Sequence, residues 1–225
     1  MNVNTVIFSD LHLGSPMSRA YVLLNTLEEY RFNRLIIAGD LFEDIRFQNL
    51  TSTHWEILEH IGKLSRRNVE VIWLEGNHDV RFYRFMAKMI GIPAYKEYLW
   101  EINGIRFLAI HGHQFDSFLS KGYMPGRFFA SFYALFQRIF PSSIFDLVYN
   151  KMADKWMRVS EQVACHAIEY AKKKRCNVVI CGHTHIVQKS VIDGIKYFNL
   201  GCWNNSPSYI LTISDTGSPD LVVVT

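Results

Sequence analysis

The sequence predicts an α/β fold in which two packed sheets are flanked by helices and interrupted once by a helical insertion. Three observations predict it. Helical and strand patterns alternate through the first half of the chain, whereas its end is rich in strands alone. Five short apolar runs stop abruptly at Gly or a polar residue, the mark of buried strands. They are Thr5 to Phe8, Leu35 to Ala38, Val69 to Leu74, Ile105 to Ile110, and Asn177 to Ile180. Between residues 112 and 165 this rhythm breaks and aromatic residues accumulate. At 225 residues the chain can bury a substantial core, so residues 1–225 are assigned to one domain that contains the 112–165 insertion.

Taken in order, strand one is followed by Ser18 to Tyr30, where Tyr21, Leu24, Leu27 and Tyr30 recur at helical spacing. After strand two, the polar stretch 49–53 leads into a second helix, Thr51 to Arg67. A third and shorter helix follows strand three, Arg81 to Ile90, and stops at Gly91 and Pro93. Tyr95 to Ile102, Asn103-Gly104 and Ile105 to Ile110 then read as one hairpin with a type I′ turn. In the insertion, Phe128, Phe132, Leu135, Phe136 and Ile139 lie along one helical face that Pro141 ends, and Ser142 or Ser143 can cap the next helix. Lys172 to Arg175 close a helix, where cations suit its negative end. A second hairpin, Ile186 to Ile192 and Ile195 to Leu200, turns at Asp193-Gly194. Tyr209 to Ile213 and Leu221 to Val224 complete the strands.

Composition narrows the function. With 49% hydrophobic and 14% aromatic residues, general disorder is excluded. A formal charge of +3 is mild and predicts neither a nucleic acid nor a membrane partner. The chain runs from Met1 straight into the first strand, which leaves no room for a signal peptide, and no apolar run is long enough to span a bilayer. Cys165, Cys176, Cys181 and Cys202 lack metal or redox spacing and read as free thiols of a cytoplasmic protein. Peripheral contact with the inner membrane face stays open.

The residues that end the five apolar runs carry the chemistry. They are Asp10-Leu11-His12, Gly39-Asp40, Gly76-Asn77-His78-Asp79, His111, and Gly182-His183-Thr184-His185. Open α/β sheets place their ligand sites at the carboxyl ends of strands, so five strands would deliver these groups to one place. Asp10, His12, Asp40, Asn77, His111, His183 and His185 provide oxygen and nitrogen ligands sufficient for two adjacent divalent metals. Imidazole, carboxylate and amide donors without Cys suit manganese, with iron or zinc as alternatives.

This order of motifs resembles the calcineurin-like metallophosphoesterases. The resemblance implies a four-layer α/β/β/α sandwich. It also implies that Asp10, His12, Asp40 and His185 hold one metal and that Asp40, Asn77, His111 and His183 hold the other. Asp40 would bridge, because a carboxylate has two oxygens to offer. Two such ions generate hydroxide from a bridging water and neutralise charge on the phosphoryl oxygens. The implied reaction is hydrolysis of a phosphodiester or pyrophosphate without a covalent intermediate. His78 would be no ligand, but a proton donor to the leaving oxygen or a stabiliser of the transition state. Glu43 occupies the slot of the acid that orients this His, with Asp79 as a rival.

Residues 9–14, 39–43 and 111–116, with the tail Tyr197-Phe198-Asn199-Leu200-Gly201-Cys202-Trp203, are similar to the UDP-2,3-diacylglucosamine hydrolases of lipid A synthesis. Those enzymes use manganese to split a nucleotide-sugar lipid, and their helical lid houses acyl chains. The likeness implies a lid in which Phe128, Phe132 and Phe136 bind substrate. Arg81, just past the His78 loop, is placed within reach of a substrate phosphate. The chain departs from the pattern at His78, where the best-known branch has Arg, and at His113 and Cys202, where acidic residues are common. The alternative is a metallophosphoesterase of soluble nucleotides, cyclic nucleotides or nucleic acid. A nucleic acid partner would call for a strongly basic groove, which a charge of +3 does not supply. A non-catalytic scaffold of the same fold would be expected to have lost a ligand.

Overall fold

The computed structural model describes residues 1–116 and 142–225, with backbone only for residues 142–155. Eleven strands and four α-helices are described. Thr5–Phe8 (β1), Ala20–Glu28 (α1), Arg34–Ile37 (β2), Ser52–Arg66 (α2), Glu70–Leu74 (β3) and Tyr83–Ile90 (α3) alternate as expected. Ala94–Tyr95 (β4), Glu97–Ile102 (β5), Ile105–Ile110 (β6) and the long helix Ser142–Lys173 (α4) follow. Val178–Cys181 (β7), Val187–Ile192 (β8), Ile195–Leu200 (β9), Ser208–Ile213 (β10) and Pro219–Val224 (β11) complete the chain.

One sheet runs β11-β10-β1-β2-β3-β4 and the other β5-β6-β7-β9-β8. Within the first, β1 to β4 are parallel; within the second, β6, β7 and β9 are parallel. Antiparallel partners close the edges, β10 and β11 on one sheet, β5 and β8 on the other.

The alternation of side chains along the strands produces three apolar interfaces and hence four layers. Ile7, Ile36, Ile72 and Leu211 face Phe107, Val178, Ile180 and Phe198 between the two sheets. Their neighbours Val6, Phe8, Leu35, Ile37, Val71 and Trp73 point the other way, onto Leu23 and Leu27 of α1, Ile57 and Ile61 of α2 and Met86 of α3. Leu108, Val179 and Tyr197 pack outward on Ala164, Ala167, Ile168 and Ala171 of α4. Strands covered on both faces have no polar face to show, which is why they read as unbroken apolar runs. The helices and strands thus form the α/β/β/α sandwich the motifs led us to expect.

Three local features differ from the sequence reading or add to it. The run Tyr95 to Ile102 is not one strand: Ala94 and Tyr95 pair with Trp73 and Leu74 in the first sheet, while Glu97 onward pairs with β6 in the second. Period-two alternation says which face a residue takes, not which sheet its strand joins. Both hairpin turns are as expected, with left-handed Asn103-Gly104 and Asp193-Gly194. His54 caps α2: its Nδ1 accepts from the backbone N–H of Thr51 and of Gly14, each at 3.3 Å. It thereby ties the loop after the first ligand motif to a helix. The expected end of the insertion, residue 165, falls within α4, whose later turns belong to the core. Phe128, Phe132 and Phe136 lie outside the described residues.

Candidate metal centre

The loops after β1, β2 and β3 in one sheet, and after β6 and β7 in the other, meet at a common edge. Their backbone is unusual. Among the described residues, Asp10, His12, Asp40, His183 and His185 all hold φ between 49° and 70°, a region that side-chain-bearing residues rarely enter. The remaining non-glycine residues at positive φ sit at hairpin turns (Asn103, Asp193) or just past helix ends (Asn68, Arg175). Conformations of this kind persist where the surroundings force them, and they concentrate at functional sites. Three glycines of the motifs answer to crowding. A Cβ on Gly39 would fall closer than 3.0 Å to the His111 side chain, one on Gly76 to Asp40 Oδ1, and one on Gly182 to Asp10 Oδ2 and Ser9 Oγ.

All seven predicted ligands converge, in two groups. In the first, His12 Nε2 and His185 Nε2 lie 3.1 Å apart, and Asp10 Oδ1 is 3.2 Å from His185 Nε2 and 3.8 Å from His12 Nε2. In the second, Asn77 Oδ1 is 2.8 Å from His183 Nδ1 and 3.2 Å from His111 Nε2, which is 3.3 Å from Asp40 Oδ2. Atoms of Asp10, Asp40 and His111 lie within 4.8 Å of one another, so the groups adjoin. His12, Glu43 and His78 form a further grouping. It competes for His12, whose Nε2 already faces the first cluster.

The donors fit divalent cations. Asp10 Oδ1 is buried without any hydrogen-bond donor, although the other oxygen of that carboxylate accepts from Ser9 Oγ and from the His183 N–H. An orphaned carboxylate oxygen facing two imidazole nitrogens is costly to bury unless a cation satisfies it.

The calcineurin-like phosphoesterase sequence profile matches residues 3–187. The chain belongs to that family. It is a metal-dependent phosphoesterase, and a curated relative points the same way. The "UDP-2,3-diacylglucosamine hydrolase" of Aeromonas hydrophila is 24% identical over 229 residues, covering 93% of this chain and 94% of that one. Among solved structures, a "novel archaeal phosphodiesterase" superposes with a TM-score of 0.51 at 16% identity, covering 97% and 98% of the two chains. A hypothetical protein from Pyrococcus horikoshii superposes with a TM-score of 0.55 at 10% identity, covering 100% of this chain and 88% of its own. Likenesses this remote speak for the fold.

In this phosphoesterase most imidazoles of the two groups are gripped from behind, an arrangement that would fix which ring nitrogen faces a metal. His111 Nδ1 is 2.7 Å from the Ala38 carbonyl, and His12 Nδ1 is 3.1 Å from Glu43 Oε2. His183 Nε2 is 3.0 Å from Asp116 Oδ2. Asp116 escaped the sequence reading. Its only signal was its place six residues into the run 111–116, and no spacing rule connects it to His183. The side chain of His185 is 41% exposed, so the first cluster opens to solvent there.

Two expected contacts differ. The Glu43 carboxylate turns to His12, and it is the Glu43 carbonyl that holds His78, 2.9 Å from Nδ1. Asp79 does not orient His78. It is fully buried, and its two oxygens accept from the backbone N–H of Leu41 and Gly76, each at 2.9 Å, clasping the second and third ligand loops together. His113 stands at the margin, its ring centre 5.5 Å from that of His111, and belongs to neither group. Arg81 is exposed on the turn before α3.

The field of the site follows from its charges. Burial opposes ionisation of Asp40, but the His111 imidazole outweighs it and holds the carboxyl well below its usual range. Burial also opposes protonation of His12 and His111, yet carboxylates win there too. Asp10 and Glu43 lift His12 to about 9, and Asp40 and Asp10 lift His111 to about 9. Burial, reinforced by the Asp40 charge, pushes Asp79 up to about 7. Burial beside His111 and His183 pushes His113 down to about 3. Without metal, the field thus favours the protonated form of His12 and His111, whereas burial pushes His183 the other way.

Proposed function

We propose that this phosphoesterase hydrolyses a phosphodiester or pyrophosphate bond with two divalent metals, acting on UDP-2,3-diacylglucosamine or a similar amphipathic nucleotide-sugar lipid. The observation that carries the two-metal reading is the convergence of seven donors into two adjoining groups. For the substrate, support comes from the full-length likeness to a protein of that name and from the aromatic load of residues 112–165.

Asp10 Oδ1, His12 Nε2 and His185 Nε2 would hold one ion; Asn77 Oδ1, His111 Nε2 and His183 Nδ1 the other. Asp40 would be shared between the two ions, and its Oδ1 also accepts the His78 N–H at 2.8 Å. The nitrogen-rich, sulfur-free donor set suits manganese, iron or zinc. When bound, two such ions supply an activated water and neutralise phosphoryl charge.

His78 acts from its own nitrogens. With Nδ1–H donating to the Glu43 carbonyl, Nε2 carries a transferable proton only in the imidazolium form. That proton goes to the leaving oxygen, and the positive charge stabilises the transition state before transfer. Phe128, Phe132 and Phe136 would cover the acyl chains, and Arg81 would contact a substrate phosphate. Among the described residues no helix is long and apolar enough to cross a membrane. An amphipathic substrate would bring a cytoplasmic enzyme to the inner membrane face.

The test is turnover by manganese-loaded protein of UDP-2,3-diacylglucosamine, bis-p-nitrophenyl phosphate, cyclic nucleotides and single-stranded DNA. UMP release from the first is the expected result. Cleavage of the soluble diesters alone would reassign the substrate, and no cleavage by fully loaded protein would refute the hydrolytic reading.

A further inference from the structure

Asn199 stands apart from the ligand set, yet both polar atoms of its side chain are engaged, and its Nδ2 holds the segment that carries His183 and His185. It lies on β9, is fully buried, and was conspicuous in the sequence only as part of the tail 197–203. Its Nδ2 donates to the Gly182 carbonyl at 2.7 Å and to Thr184 Oγ1 at 3.1 Å, with Tyr197 Oη at 3.3 Å. Its Oδ1 accepts from the Gly201 N–H at 3.1 Å. Gly182 and Thr184 bracket His183, and Thr184 separates it from His185. Four residues on from Asn199, the Trp203 N–H donates to the Asp10 carbonyl at 2.9 Å. The Thr184 hydroxyl is held a second time, 3.2 Å from Ser160 Oγ on α4.

We propose that Asn199 is a positioning residue of the metal centre, its amide fixing residues 182–185 in the conformation that aims His183 at one ligand group and His185 at the other. The proposal rests on the two-metal reading. The physical argument is that His183 and His185 both occupy left-handed backbone, at φ 70° and 58°, where neither has an intrinsic reason to stay. Their imidazoles diverge, Nδ1 of one towards Asn77 and Nε2 of the other towards Asp10. Backbone relaxation at either residue would swing its ring out of its group. A carboxamide suits this position because it combines donors for the Gly182 and Thr184 oxygens with an acceptor for Gly201 N–H. Neither an aspartate nor a leucine of similar size could do both.

The experiment is titration of metal-free protein with Co²⁺, reading stoichiometry, affinity and the visible d–d spectrum, with the melting temperature measured alongside. Wild type is expected to take up two Co²⁺. Asn199→Asp keeps the volume but removes the donors, and should weaken uptake at least tenfold at both positions and alter the spectrum. Thr184→Val, a milder change should the first variant fail to fold, should alter the spectrum with a smaller loss of affinity. Leu27→Ala in α1, a destabilising change remote from the centre, should lower the melting temperature and leave the spectrum unchanged. If wild type binds two Co²⁺ and both network variants match it in affinity and spectrum, the positioning role is overturned while the two-metal reading stands. Wild type that takes up no Co²⁺ overturns both.

Discussion

Gly182→Ala tests how closely the ligand loops must approach one another. Gly182 does not need glycine for its own φ, which lies outside the left-handed region; it needs the space. An added methyl would collide with Ser9 Oγ and Asp10 Oδ2, closer than any real contact permits. Overpacking of this kind costs about 1–3 kcal/mol. The displaced Asp10 oxygen accepts two hydrogen bonds, from Ser9 Oγ and His183 N, and each bond to a charged group contributes about 1.5–3 kcal/mol. Losing one of them on top of the strain gives about 2.5–6 kcal/mol. For a domain of this size that corresponds to a fall in Tm of roughly 5–24 °C. A chain in the middle or upper part of the ordinary range of about 5–15 kcal/mol would stay folded. Asp10 Oδ1 would leave the first group, so elemental analysis after manganese loading should find no more than one ion per chain. Gly91→Ala is the contrast. A methyl there meets nothing within 4 Å, but the φ of 85° strains it by about 1–2 kcal/mol, and loading should be unaffected. Gly182→Ala with an unchanged Tm and two ions would refute the geometry.

Asp40→Ala should leave a folded protein with reduced metal at both positions, because Asp40 lies with Asp10 of one group and His111 of the other; full loading by elemental analysis would contradict the shared role. His78→Ala should retain both metals, since the backbone N–H that meets Asp40 Oδ1 survives, yet lower kcat by roughly 10²–10⁴. That loss should shrink for substrates with acidic leaving groups, and an equal loss across leaving groups would mean that His78 acts by charge alone. For pH, His12 and His111 stand at about 9 without metal, above the ordinary 6.5. Groups raised by folding stabilise fully below the unfolded value, and the contribution disappears as pH rises through the folded one. The metal-free Tm should therefore fall between pH 7 and roughly 9.5, while manganese affinity rises because those protons no longer have to be displaced. Calorimetry in buffers of different ionisation enthalpy measures the proton release, and a flat metal-free Tm would overturn the assignment.

Much of this protein is legible before any folding. The strands β1, β6 and β9 appear at their expected bounds, and both type I′ turns fall on Asn-Gly and Asp-Gly. Alternation and turn chemistry depend on neighbouring residues, which the sequence states directly. The seven candidate ligands are legible for a related reason. Metal donors are chemically distinctive, and here each set occupies a short stretch at the end of a strand. Asn77 and His183 can be suspected of a common partner although 106 residues separate them.

What the sequence does not state are the contacts whose two halves lie far apart and carry no distinctive chemistry. Asp116 reaches His183 across 67 residues, and Ser160 reaches Thr184 from another layer of the sandwich. Nothing in the run Tyr95 to Ile102 announces that it passes from one sheet to the other. Other details turn on rotation about single bonds. The Glu43 carboxylate goes to His12 while its carbonyl goes to His78, and one oxygen of Asp40 is spent on a backbone N–H. Residue type sets which groups are available as donors and acceptors. Which atom meets which partner is decided by packing, because only the assembled sheets bring those loops within hydrogen-bonding distance.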